Sequence, residues 1–128
     1  MLQEATILLA EDEGGIRAMT RAYLESLGYH VLEARDGAEA VLLAKDYSGT
    51  IDAVVTDMLM PGIRGDSAIN QIRNSRPNIK ALIMSGYTDQ DFPLEMGEVL
   101  YKPFEFPELG RRLRELLDHY RISQDAAD

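Results

Sequence analysis

Two apolar runs in this chain stop abruptly on carboxylates. Ile7-Leu8-Leu9-Ala10 ends at Glu11-Asp12-Glu13, and Ala53-Val54-Val55-Thr56 ends at Asp57, which is followed by the turn-forming Met58-Leu59-Met60-Pro61-Gly62. Carboxylates crowded together repel one another and lose hydration, so they persist mainly where a cation or a reaction makes use of them. The chemistry this pattern offers is an acid pocket for a divalent metal, with Asp57 placed to react. Two short aliphatic runs that end in acids and then in glycine-containing turns read as parallel strands. Their C-terminal ends would meet at one edge of a sheet, and in open α/β sheets that edge is where ligands bind.

The rest of the chain alternates in the way such a sheet requires. Strands are expected at Ala5–Ala10, His30–Ala34, Ile51–Asp57, Ala81–Ser85 and Val99–Tyr101. The intervening helix over Gly14–Leu27 carries Ile16, Met19, Tyr23, Leu24 and Leu27 at helical spacing, which predicts a buried face, and Gly28 supplies a left-handed stop. Asp36 is the expected N-cap of a helix over Gly37–Tyr47, with a small, apolar stripe of Gly37, Ala40, Val41 and Ala44. Ala68, Ile69 and Ile72 mark a helix over Gly65–Asn74 that Pro77 prevents from continuing. A last helix, Glu105–Tyr120, turns Leu109, Leu113, Leu116 and Leu117 inward, and Ser123–Asp128 reads as a frayed polar tail. This gives one domain over residues 1–122, a parallel sheet covered by helices on both faces.

Bulk composition narrows the choice of partners. The 128 residues carry a formal charge of −9, which disfavours direct binding to a nucleic-acid backbone. There is no cysteine, so disulfides and zinc–thiolate sites are excluded and a reducing cytoplasm is permitted. No apolar stretch approaches the ~20 residues that span a bilayer, and no export pattern opens the chain. The two remaining strands end at Met84-Ser85-Gly86 and at Tyr101-Lys102-Pro103-Phe104. If all five lie parallel, Glu11, Asp12, Asp57, Ser85 and Lys102 project at the same edge: three acids, a hydroxyl and a cation.

The order and spacing of four stretches resemble the receiver domain of two-component response regulators over essentially the whole chain. These are Ile7–Glu13, Thr56–Gly62, Met84-Ser85-Gly86-Tyr87 and Lys102-Pro103-Phe104. The Met84–Asp89 run further resembles receiver modules of hybrid histidine kinases. The resemblance implies a flavodoxin-like three-layer α/β sandwich with a five-stranded parallel sheet of order 2-1-3-4-5. It also implies a phosphorelay signalling role, with Asp57 as phosphoacceptor and Lys102 and Ser85 as charge-neutralising and hydrogen-bonding groups. Glu11, Asp12, Asp57 and the backbone carbonyl of Leu59 would hold Mg²⁺. The implied partner is a histidine kinase or a histidine phosphotransfer protein, met in the cytoplasm by a monomer or weak dimer without nucleic acid or membrane insertion. Beyond self-phosphorylation and slow self-dephosphorylation, no enzymatic activity is implied.

Four positions depart from the family pattern. The first acid is Glu11 where aspartate is usual, and the hydroxyl is Ser85 where threonine is common. Val99 stands where many receivers carry an aromatic switch residue. The chain between Gly86 and Tyr101 is shorter than usual, and Pro93 and Gly97 leave room for only a shortened or missing fourth helix. Two rival readings compete with a receiver. An aspartate-nucleophile phosphohydrolase would carry a second acid at the position of Leu59. A non-phosphorylated pseudo-receiver, acting as a protein-binding module, would lack Asp57, Asp12 or Lys102. This chain retains all three of those residues and has no acid at position 59.

Overall fold

Five short aliphatic segments assemble into one parallel sheet in the computed structural model of the protein, which describes residues 5–86 and 97–127. The elements run β1 (Thr6–Ala10), α1 (Gly14–Ser26), β2 (His30–Ala34), α2 (Gly37–Asp46), β3 (Ala53–Asp57), α3 (Gly65–Ser75), β4 (Lys80–Gly86), β5 (Glu98–Lys102) and α4 (Phe106–Ala127). All strand pairs are parallel and the order is β2-β1-β3-β4-β5, the doubly wound order expected.

Side-chain alternation along the strands divides the interior into two cores. On one face Leu8, Val54, Ala81 and Ile83 pack against Ala40 and Ala44 of α2 and Ile69 and Ile72 of α3. On the other, Ile7, Leu9, Val55, Leu82 and Met84 meet Leu24 of α1 and Leu109 and Leu113 of α4. Every residue of β3 is buried, as a central parallel strand covered on both faces must be. Register then fixes the functional edge. Ala10 pairs with Thr56, Asp57 with Met84, and Ser85 and Gly86 with Tyr101 and Lys102, so the strands end together.

Local capping matches the residues present. Asp36 accepts the Glu39 N–H at 2.8 Å, and Glu13 caps α1 by accepting the Ile16 N–H at 2.8 Å. Gly28 takes φ 100° just after α1, a conformation that a side chain would strain.

Three expectations change. The apolar stripe of α1 does not bury as a unit. Leu24 is buried, whereas Ile16 and Met19 are 50% and 61% exposed and Leu27 lies at the surface. The buried surface of the helix runs instead through Thr20, whose hydroxyl avoids an orphaned donor by bonding the Ile16 carbonyl at 2.7 Å. Strands β4 and β5 are longer than their apolar centres, because ladder pairing extends to Lys80, Gly86, Glu98 and Lys102. The final helix continues to Ala127 through the stretch expected to be a frayed tail, where no glycine or proline interrupts it. The expectation of a shortened fourth helix falls on residues 87–96, outside those described.

Candidate functional site

The strand ends bring Glu11, Asp12, Asp57, Ser85 and Lys102 to one edge, and the first three converge. Glu11, Asp12 and Asp57 each offer a carboxylate oxygen, and these oxygens lie within 4.8 Å of one another. Asp57 is 7% exposed and Glu11 only 3%, while Asp12 faces solvent. Lys102 Nζ reaches Asp57 Oδ1 at 2.6 Å. One ammonium, paired with Asp57, therefore stands beside a cluster of three carboxylates, leaving a surplus of negative charge at an edge where Glu11 and Asp57 are buried.

Glu11 records that surplus. Burial pushes its carboxyl group up from the ordinary 4.5, and the nearby Asp57 and Asp12 charges push the same way. The Glu13 N–H, donated to Glu11 Oε2 at 3.0 Å, and the Lys102 charge oppose the shift without cancelling it. A small hard cation ligated by oxygen would relieve this arrangement, and the donor set of carboxylates on a loop open to water suits Mg²⁺ or a close relative.

The backbone around Asp57 is held as tightly as its side chain. The Met58 N–H donates to the Met84 carbonyl at 2.9 Å, and Thr56 Oγ1 donates to the Asp57 carbonyl at 2.9 Å. Gly65, which opens α3, donates its N–H to the Met58 carbonyl at 2.8 Å. A Cβ on Gly65 would lie 2.3 Å from the Asp57 carbonyl oxygen, so only glycine lets α3 approach this closely. Sequence reasoning places Gly65 at a helix start but misses this contact; a glycine at the first helical position, a few residues beyond the acid, is the available signal.

Ser85 is fully buried at the end of β4, and its hydroxyl donates to the Gly86 carbonyl at 2.9 Å. It belongs to the edge, but serving a ligand there would require rotation away from that carbonyl. Leu59 follows in the loop after β3 with its side chain 51% exposed at the rim. Beside the acids, Glu11 and Lys102 also line a groove of about 380 Å³ whose other walls include Ile16, Met19, Phe104 and Phe106. The exposed apolar residues of α1 thus border the charged site. Helical periodicity could mark them as apolar but not say which of them the fold leaves uncovered.

No helix among the described residues is long and apolar enough to cross a membrane. Residues 7–114 match the family model for the response regulator receiver domain. The chain is 34% identical over 119 residues to the sensor kinase CckA of Brucella abortus, an alignment covering 89% of this chain and 13% of that much longer protein. Among solved structures, the receiver domain of the hybrid histidine kinase CckA superposes with a TM-score of 0.77 at 34% identity, covering 88% of this chain and 99% of that one. The receiver domain of the sensor histidine kinase PA1611 from Pseudomonas aeruginosa PAO1, which holds a magnesium ion coordinated in its active-site cleft, gives 0.76 at 32% identity, with 90% and 98% covered. Sequence match, strand order and the acid-lined sheet edge agree: the chain belongs to the receiver-domain family of two-component systems.

Proposed function

We propose that this domain takes a phosphoryl group from a phosphohistidine onto Asp57, in the presence of Mg²⁺, and relays it as a change of conformation. The observation that carries this reading is the Asp57 carboxylate, buried at a sheet edge, paired with Lys102 at 2.6 Å and clustered with Glu11 and Asp12 within 4.8 Å. A carboxylate oxygen of Asp57 would attack phosphorus. The O–P bond forms as the P–N bond breaks, and its electron pair leaves on the imidazole nitrogen of the donor.

Positioning and charge neutralisation supply most of the catalysis in such a transfer. Phosphorylation removes the carboxylate charge of Asp57, so Lys102, paired with it in the unmodified domain, is released to pair with the new phosphoryl oxygens. Rotation of Ser85 from the Gly86 carbonyl would add a donor to one of those oxygens. Glu11, Asp12, Asp57 and the Leu59 carbonyl would hold Mg²⁺. When bound, that ion would neutralise phosphoryl charge as a Lewis acid. Leu59 at the rim is apolar and does not orient a hydrolytic water, which favours a long-lived acyl phosphate and no further enzymatic activity. By its position two residues beyond Ser85, Tyr87 is expected from the sequence to flank, with Leu59, a water's approach to phosphorus; it lies outside the described residues.

The donor is a histidine kinase or histidine phosphotransfer protein, and its approach is proposed over α1. The groove that exposes Ile16 and Met19 is continuous with Glu11 and Lys102, so an apolar helix face seated there would hold a histidine beside Asp57.

Phosphoramidate tests the P–N chemistry directly. Incubation with Mg²⁺ should place a hydroxylamine-labile phosphoryl group on the peptide containing Asp57, and Asp57→Asn should take none. A folded wild type that stays unmodified would instead favour a non-phosphorylated binding module.

A further inference from the structure

Arg17 belongs to none of the motifs at the sheet edge, yet it touches the acidic site from behind. Its Nη1 donates to the Glu11 carbonyl at 2.9 Å while its Nε donates to Glu33 Oε1, on β2, at 3.2 Å. The N–H of Glu11 donates to the carbonyl of Ala34, the neighbour of Glu33, at 3.1 Å. Both peptide groups of Glu11 are therefore fastened to β2, one directly and one through Arg17. Glu33 is itself shared with Arg21, which pairs in turn with Glu25 at 2.8 Å. Arg17 is the more buried, inner member of that chain and Arg21 the more exposed, outer one.

The junction between β1 and α1 has a demanding task. Glu11 has one more side-chain torsion than an aspartate, so bringing its carboxylate to ligand distance from Asp12 and Asp57 costs more rotamer freedom. A wandering backbone would add to that cost. We infer that Arg17 is a positioning residue for the acidic site: its guanidinium fork clamps the Glu11 carbonyl to β2. Glu11 and Asp12 are thereby presented at ligand spacing before a cation arrives. The inference rests on the metal-binding reading above and names a residue through which that affinity is set.

A competing effect has the opposite sign. The guanidinium charge, acting only through space, would repel a cation, so its removal would tighten metal binding. Loss of positioning would loosen it. Outer partners of a ligand residue are typically worth about 10–100-fold in metal affinity.

Mg²⁺ binding is measured by calorimetry on the whole chain for wild type, Arg17→Met, Arg17→Lys and Glu25→Gln. Arg17→Met keeps the aliphatic stem and should weaken Mg²⁺ binding about tenfold. Arg17→Lys keeps the charge but loses the fork that spans the Glu11 carbonyl and Glu33, and should also bind Mg²⁺ more weakly than wild type. Glu25→Gln, on the outer side of the network, should bind as wild type does. At saturating Mg²⁺ the extent of phosphorylation by acetyl phosphate should be restored in both Arg17 variants. An Arg17→Met protein that binds Mg²⁺ as tightly as wild type, or more tightly, overturns the inference. Should that variant fail to fold, wild-type affinity in Arg17→Lys overturns it equally. A wild type that shows no Mg²⁺ binding overturns the metal reading as well, which separates the two failures.

Discussion

The two ends of the sheet treat charge in opposite ways. At the N-terminal end, charged side chains close onto the backbone. Arg76 donates to the carbonyls of Ala44, Tyr47 and Gly49 at 2.8, 2.6 and 2.7 Å, which ties the α2–β3 loop to the end of α3. Asp52 Oδ2 accepts the Thr6 N–H at 2.8 Å, and Arg73 donates to the Ile79 carbonyl at 2.9 Å. At the C-terminal end, three carboxylates converge with Lys102 paired to Asp57, and Glu11 is held above its ordinary pKa by burial and by its acidic neighbours. Polar groups at the first end complete hydrogen bonds that the fold needs. Those at the second leave charge in excess, as the proposed metal and phosphoryl site requires.

Substitutions should therefore separate the ends cleanly, and the largest effect belongs to the closed one. Arg76→Ala should lower stability by about 3 kcal/mol, three charge-assisted bonds at roughly 1 kcal/mol each in a half-exposed setting. It should leave Mg²⁺ affinity unchanged. Denaturant unfolding with and without Mg²⁺ checks both parts, and a changed metal response would break the division proposed here.

At the acidic end, added Mg²⁺ should raise stability, by about 1.4 kcal/mol at ten times its dissociation constant. Asp12→Ala should remove most of that gain. Superimposable melting curves for wild type in Mg²⁺ and in chelator would contradict the reading of a metal site.

A subtler test uses pH in the absence of metal. Because the Glu11 carboxyl lies above its unfolded value of 4.5, the folded state holds that proton more tightly, and ionised Glu11 subtracts stability at neutral pH. Glu11→Gln should then be the more stable protein at pH 7, by on the order of 1 kcal/mol. Its advantage should shrink as pH falls through the raised value and vanish below 4.5. An advantage independent of pH would mean that charge is not its cause.

The smallest effect concerns the rim. Leu59→Asn should shorten the acyl-phosphate lifetime about two- to tenfold, less than a positioned acid or base achieves, because an amide orients water without taking its proton. Decay followed by mass after removal of the donor measures it directly, and an unchanged lifetime would remove Leu59 from the account.

Much of the acidic end is legible in the sequence. Strands that stop on acids, a serine and a lysine carry their register in their own hydrophobic limits, and all five side chains do reach one edge. Side chain to backbone contacts are not legible. Arg17 on the Glu11 carbonyl, and Gly65 against the Asp57 carbonyl, depend on where chain segments pass each other, and a carbonyl has no residue type to betray it. Nor does the apolar stripe of α1 say which of its members are covered. Periodicity reports a face, and only packing decides that Leu24 enters the core while Ile16 and Met19 line a groove.

The central claim is that Asp57 is a cation-dependent phosphoacceptor, and intact-mass measurement after incubation with acetyl phosphate tests it most directly. Wild type in Mg²⁺ should gain the mass of one phosphoryl group. The same protein in chelator, and Asp57→Asn in Mg²⁺, should gain none. A folded wild type that remains unmodified in Mg²⁺, or an Asp57→Asn protein modified to the same extent, would contradict the account.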